Sequence, residues 1–203
     1  MAGPRETRTP EFLALNPRGK APVLVDKDGT VLFESLAILA YLEAVYPHPH
    51  PLLPPPTTER AVFAAVSART QESNNLIDAY EDMELIFEMR KGAAPLDADR
   101  NSNLILAIRS ALDATKAELA FWEEYAGRTD FIASDKMSLA VCAFYPVLAY
   151  LVHRGLALDN LPNLAAYWAS VRARDSAVMS HPLKWAFDGP STSFSVFQAC
   201  ADL

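Results

Sequence analysis

Residues 47–56 read PHPHPLLPPP, which puts six of the chain's 15 prolines into ten positions. Proline lacks a backbone N–H and has a fixed φ, so neither a regular helix nor a sheet ladder can run through such a tract. The chain has to organise itself separately on either side, and the tract reads as a linker. The expected organisation is a first domain over 1–48, a linker over 49–56 and a second domain over 57–203.

The two sides carry different periodicities. Before the tract, Val23-Leu24-Val25 and Val31-Leu32-Phe33 are short β-branched and apolar runs around DKDGT. Asp28-Gly29 supplies residue types that accept positive φ, so these runs predict a β-hairpin. A helix follows from Ser35, with Leu36, Leu39, Leu42 and Tyr46 near one stripe, and Pro47 ends it. After the tract every segment reads as helix. Residues 58–91 contain neither glycine nor proline and carry a long mixed apolar pattern, which KGAAP at 91–95 breaks. Leu104, Ile105, Ile108, Leu112, Leu119 and Trp122 recur at the 3.6-residue period, with Gly127 as a stop. Further helices are expected from Ser138 to His153, closing at Gly155 with a kink at Pro146, and from LPN at 161–163 to about Arg174. The closing residues, STSFSVFQACADL, show no clear period. The predicted fold is mainly α.

Charge and composition narrow the function. A net charge of −7 with no basic run argues against nucleic-acid binding, which depends on clustered Lys and Arg. The apolar run at 139–151 contains Tyr145, Pro146 and Tyr150 and falls short of the roughly 20 residues of a membrane span. The start, MAGPRETRTP, has no apolar core of a secretory signal. Cys142 lies in an apolar helical segment and Cys200 in the tail, usage that suits a reducing, cytoplasmic setting. His48, His50, His153 and His181 show no metal-ligand spacing, so no metal is expected. Tyr80, Phe87, Phe121, Trp122 and Tyr145 are expected in core or dimer packing.

The segment FLALNPRGKAPVLVDKDGTVLFESLAILAYLEAVYP resembles the second half of the thioredoxin-like domain of cytosolic glutathione transferases. The helical part, including LPNLAAYWASVRAR, is similar to that family's all-α domain. The sharpest shared motif is Asn16-Pro17…Lys20-Ala21-Pro22 followed by Glu34-Ser35-x-Ala37-Ile38, most similar to theta-like, zeta-like and fungal members. The resemblance implies a homodimer with glutathione in a cleft between the two domains, as cosubstrate or cofactor. It implies a cis bond before Pro22 that lets the backbone of Ala21 pair with the cysteinyl part of the ligand. Ser35 would bind the γ-glutamyl carboxylate, Glu34 the γ-glutamyl amine and Lys20 the glycyl carboxylate. QESNNL at 71–76 looks like a zeta-type segment and nominates Gln71 and Asn75 as further glutathione contacts. A polar surface or dimer face is the competing reading of that pair.

The implied activity is addition of the glutathione sulfur to an apolar electrophilic small molecule, in secondary metabolism by analogy with fungal relatives. Expulsion of sulfur after bond rotation would instead give a cis–trans isomerase, and a non-catalytic dimerisation module is a third reading. The resemblance begins only at the end of the family's second strand. The Tyr, Ser or Cys that usually stabilises the thiolate is therefore expected to lie outside this chain, so no catalytic residue is assigned. That leaves a truncated record, a native short form using Asn74 or Asn75 as donor, or a binding module, and a shortened or partly recorded protein that still binds glutathione is the expectation adopted. The family commonly has Asp where Val141 stands, so the helix after Ser138 is expected to be capped by Ser138 alone.

Overall fold

A computed structural model of the chain describes residues 6–46, 50–92, 98–183, 185 and 195–203. The chain divides into two compact units, Met1–Pro54 and Pro55–Leu203. The proposed breaker at 93–95 and His48 lie outside the described residues.

The first unit opens with a 3-10 turn over Glu6–Arg8 and helix α1, Pro10–Leu15. Its likeness to the end of a strand gives way to helix for a local reason. Thr9 is an N-cap whose hydroxyl accepts the Phe12 N–H at 3.3 Å, and Pro10 stands at the first helical position, where its missing N–H costs nothing. Strands β1, Val23–Val25, and β2, Val31–Phe33, then pair antiparallel with Val23 facing Phe33 and Val25 facing Val31. Asp26 N–H reaches Thr30 O at 2.8 Å and Gly29 N–H reaches Asp26 O at 3.0 Å, so Lys27, Asp28 and Gly29 form a three-residue loop. Gly29 alone supplies the positive φ, at +86°. Helix α2, Ser35–Val45, follows β2 directly. Its expected apolar stripe is only partly covered within the unit: Leu36 and Leu39 are half-buried, while Leu42 and Tyr46 are exposed.

The second unit is all helix among its described residues. Helix α3, Arg60–Gly92, and helix α4, Ala98–Ala126, pack along each other and α3 also packs on α5, Leu139–His153. The buried positions of α3 are Val66, Thr70, Ser73, Leu76, Tyr80, Met83 and Phe87, and those of α4 are Ile108, Leu112, Thr115, Leu119 and Trp122. Both rows step by three and four residues, the spacing that keeps one face of a helix turned to a neighbour. The α3 row looks mixed in sequence because Thr70 and Ser73 sit in it. Each satisfies itself on the preceding turn, Thr70 on Val66 O at 2.7 Å and Ser73 on Thr70 O at 2.8 Å. Thr115 lies 2.9 Å from Ala111 O and 3.1 Å from Ala79 O, tying α4 to α3.

Helix α5 is the most enclosed element, with nine buried residues from Leu139 to Val152, and Trp122 stacks on its Phe144 at 3.8 Å between centroids. It remains one helix through Pro146, which lies on an exposed face. It stops at Gly155, where Gly155 N–H bonds Val152 O and Leu156 N–H bonds Leu151 O at positive φ of 96°. Helix α6, Pro162–Arg172, and helix α7, Asp175–Ser180, follow.

Three expectations need correction. Ser138 stands at the N-cap of α5 but its hydroxyl caps nothing and is buried without a partner. The Val141 N–H it would have received bonds the Ser138 carbonyl at 3.1 Å instead. The final segment contains helix α8, Val196–Ala201, because Ser195 accepts the Gln198 N–H at 3.2 Å; this Ser-x-x-Gln start was legible but too short to show a period. Cys200, expected as a tail thiol, is a buried side chain of that helix, and burial pushes its thiol up to about 11. Of the aromatic residues expected in core or dimer packing, Tyr80, Phe87 and Trp122 are buried, Tyr145 is half-buried and Phe121 is exposed.

Candidate functional site

The residues nominated in the first unit meet at the open end of the hairpin. Val23 opposite Phe33 is the last pair of the ladder, so Ala21-Pro22 leads into it on one chain and Glu34-Ser35 leads out of it on the other. The Ala21–Pro22 peptide is cis, and both residues are exposed. Among the described residues, no hydrogen bond uses the N–H or C=O of Ala21. Ser35 is the first helical residue of α2, and the first amide of the helix to find a partner is Ile38, on Glu34 O at 3.0 Å. The N–H groups of Ser35, Leu36 and Ala37 therefore carry the positive end of the helix dipole outward. Beside them the Ser35 hydroxyl is exposed.

Glu34 holds an uncommon backbone state, φ 78° and ψ 114°, at the N-cap. Non-glycine residues persist there only when the surroundings fix them, and such positions cluster at binding sites. Its carboxylate lies 3.7 Å from Arg18 Nη1, with both side chains largely in solvent.

Two supports were missed in the sequence. Asn16 stands in the sequence as one member of the Asn-Pro motif, yet its side chain is the one that shapes the loop ahead of Ala21. It is 2 % exposed, its Nδ2 donates to Lys20 O at 2.7 Å, and its Oδ1 accepts the Arg18 N–H at 3.1 Å. Gly19 sits between them at φ 61°, where a Cβ would stand 2.9 Å from Thr7 O and from Arg8 Nη1. At the other end of the hairpin, Asp26 accepts from Tyr41 Oη at 2.5 Å and from Tyr46 Oη. Those two hydroxyls, with the Lys27 amide, hold the Asp26 carboxyl below the usual carboxylate range, and Asp26 pushes Tyr41 up to about 12. This knot fixes α2 against the hairpin loop and so fixes where Ser35 stands. Neither contact has a local signal, because the partners lie 15 and 20 residues apart.

Lys20 is exposed beside Ala21. In the second unit, Gln71 and Asn75 are exposed on one face of α3. Asn75 lines a hollow of about 190 Å³ with Glu72, Glu118, Phe121, Trp122 and Tyr125. Burial and then the Glu72 charge push the Glu118 carboxyl up, while Arg69 pairs with Glu72 at 2.7 Å and lies 3.6 Å over the Tyr125 ring. Two of the hollow's six lining residues, Glu72 and Glu118, are carboxylates, which disfavours a ligand with two carboxylates there. Gln71 and Asn75 line neither of the larger hollows described in this unit, about 490 and 440 Å³. No group of three or more His, Cys, Asp or Glu among the described residues could hold a metal. No described helix is long and apolar enough to cross a membrane.

The N-terminal domain model of glutathione S-transferases matches residues 1–45, and the C-terminal domain model matches residues 106–175. Glutathione S-transferase A of Pleuronectes platessa is 32% identical over 184 residues, covering 89% of this chain and 76% of the relative. The chain belongs to the glutathione S-transferase family. The solved structure of a glutathione S-transferase from the Antarctic clam Laternula elliptica matches 92% of this chain and 80% of its own, at 31% identity and a TM-score of 0.73. A partial match covers 34% of this chain and 34% of the maleylacetoacetate isomerase of Pseudomonas aeruginosa, at 41% identity. The glutathione S-transferase fold here is thus an all-α C-terminal domain behind a short thioredoxin-like N-terminal one.

Proposed function

We propose that this glutathione S-transferase family member binds glutathione at the open end of its hairpin and adds the glutathione sulfur to an apolar electrophilic small molecule. The observation that supports the reading is that Ala21-Pro22 and the Glu34–Ser35 helix start flank the last hairpin pair, Val23 with Phe33. Glutathione is a peptide with two carboxylates and one amine. Ala21, with Pro22 behind it, pairs with its cysteinyl backbone, the Ser35 hydroxyl and the first α2 amides hold the γ-glutamyl carboxylate, and Glu34 accepts from the amine. Lys20 takes the glycyl carboxylate, and the likeness of QESNNL at 71–76 to a zeta-type segment is what supports Gln71 and Asn75 as further glutathione contacts. In the reaction the thiol gives up its proton and the sulfur lone pair forms a carbon–sulfur bond.

A homodimer belongs to the same proposal, supported by exposed Leu85 and Met89 on α3 and Leu106 and Phe121 on α4. Cys142 and Cys200, neither of them in a disulfide, support a reducing, cytoplasmic setting, and secondary metabolism is the process proposed. A glutathione-dependent cis–trans isomerase is the second reading, favoured by the partial maleylacetoacetate isomerase match.

Calorimetric titration with glutathione tests the ligand, and absence of heat overturns both enzymatic readings and leaves the dimerisation module. A chromogenic electrophile then separates the two: accumulating conjugate supports transfer, whereas isomer change without net loss of glutathione supports isomerisation.

A further inference from the structure

Arg18 has no role in the reading above, yet it stands where the charge of the ligand head has to be met. Its backbone is fixed from below, because the buried Asn16 side chain accepts the Arg18 N–H and ties down the Lys20 carbonyl two residues on. Its side chain reaches across to the residue that opens α2, with Nη1 3.7 Å from Glu34 Oε1. At 71% and 63% side-chain exposure this is a solvated ion pair, and such pairs contribute little to folding. The separation is that of a Coulombic contact rather than a short bidentate bond. Both partners therefore keep most of their hydrogen-bonding capacity: a guanidinium has five N–H donors and a carboxylate about four lone-pair positions.

The result is a solvated plus–minus couple beside the amide end of α2. The head of a γ-glutamyl peptide is a minus–plus couple on one carbon, a carboxylate next to an ammonium. Laid against Arg18 and Glu34 the two couples complement each other, and neither protein charge has to be stripped from water alone. A neutral helix start with Ser35 would attract the carboxylate but would not require the amine beside it.

We infer that Arg18 binds the α-carboxylate of the γ-glutamyl head, so that Arg18 and Glu34 together read the amino-acid zwitterion of glutathione; this rests on the glutathione reading above. Asn16 acts as the positioning residue for Arg18.

The test is calorimetric titration of the wild type, Arg18→Gln and Arg18→Lys with two ligands. One is glutathione, and the other is its analogue lacking the α-carboxylate, 4-aminobutanoyl-cysteinyl-glycine. Arg18→Gln is expected to weaken glutathione about tenfold, the loss of one charge-assisted contact, and the analogue by no more than about twofold. Arg18→Lys keeps a point charge and should restore part of the loss. If Arg18→Gln binds glutathione like the wild type, or weakens both ligands by the same factor, Arg18 does not hold the carboxylate. If the wild type gives no heat with glutathione, the glutathione reading falls and takes this inference with it. Heat with an unmoved Arg18→Gln removes Arg18 alone.

Discussion

The backbone of Glu34 offers a measurement that separates what the residue does for folding from what it does for a ligand. At φ 78° and ψ 114° any residue with a Cβ is strained, and glycine is less so. Replacing Glu34 by Ala deletes the carboxylate and keeps the strain, whereas Glu34→Gly deletes the carboxylate and eases the strain. The two variants thus differ by one Cβ. Strain of this kind costs about 1–3 kcal/mol, and glycine gives back about 0.5–1 kcal/mol through its freer unfolded chain. The expected result is that Glu34→Gly is more stable than Glu34→Ala by about 1 kcal/mol. The lost Arg18 pair hardly enters, since both variants lose it and it is solvated. Urea unfolding at constant m reads the difference. On the same preparations glutathione affinity should fall by about tenfold or more in both, because each loses the acceptor for the amine. Equal stabilities, or a less stable glycine variant, would refute the argument that the backbone here is strained; unchanged affinity would refute the role of the carboxylate.

Other substitutions probe the helical unit. A Cβ at Gly155 would meet Ser195 Cβ and Oγ at 2.7 Å in a positive-φ position, and Ser195 Oγ donates to Gly155 O at 2.9 Å. Gly155→Ala should cost about 2–4 kcal/mol in chemical unfolding, and Gly155→Ala with Ser195→Gly should recover part of it. Helix α6 begins after Leu161, which cannot cap it, and the Glu123 carboxylate of α4 accepts the Asn163 and Leu164 N–H groups at 2.8 Å each. Glu123→Ala is expected to lower stability by about 1–2 kcal/mol, and Glu123→Gln by less, because one oxygen still accepts. The hydroxyl of Ser138 is buried and unpaired, so Ser138→Ala should be neutral or stabilising by up to about 1 kcal/mol in thermal unfolding. A loss of the ~1 kcal/mol usual for a serine N-cap would mean the hydroxyl does cap α5.

Much of this molecule was legible residue by residue. The hairpin came from two β-branched runs around Asp28-Gly29, because glycine accepts without steric cost the +86° that its three-residue loop demands at Gly29. The seam of α4 came from Ile108, Leu112, Leu119 and Trp122, because a helix repeats every 3.6 residues and water drives one face inward. The candidate site was legible as residue types at a spacing, Ala21-Pro22 and Glu34-Ser35, and the register of a short hairpin follows from its loop.

Tertiary structure alone decided the rest. That Asn16 would be buried and turn its amide on Lys20 is set by what closes over it, and that Asp26 would collect Tyr41 and Tyr46 depends on α2 folding back to the loop. Glu123 caps a helix 40 residues away, and Ser138 loses its capping role to its own carbonyl. Local pattern fixes which backbone shape a segment favours, since that choice is made among near neighbours. Which donor meets which acceptor is settled only when distant segments pack and water is excluded, and this governs the Arg18–Glu34 couple on which ligand selection is argued.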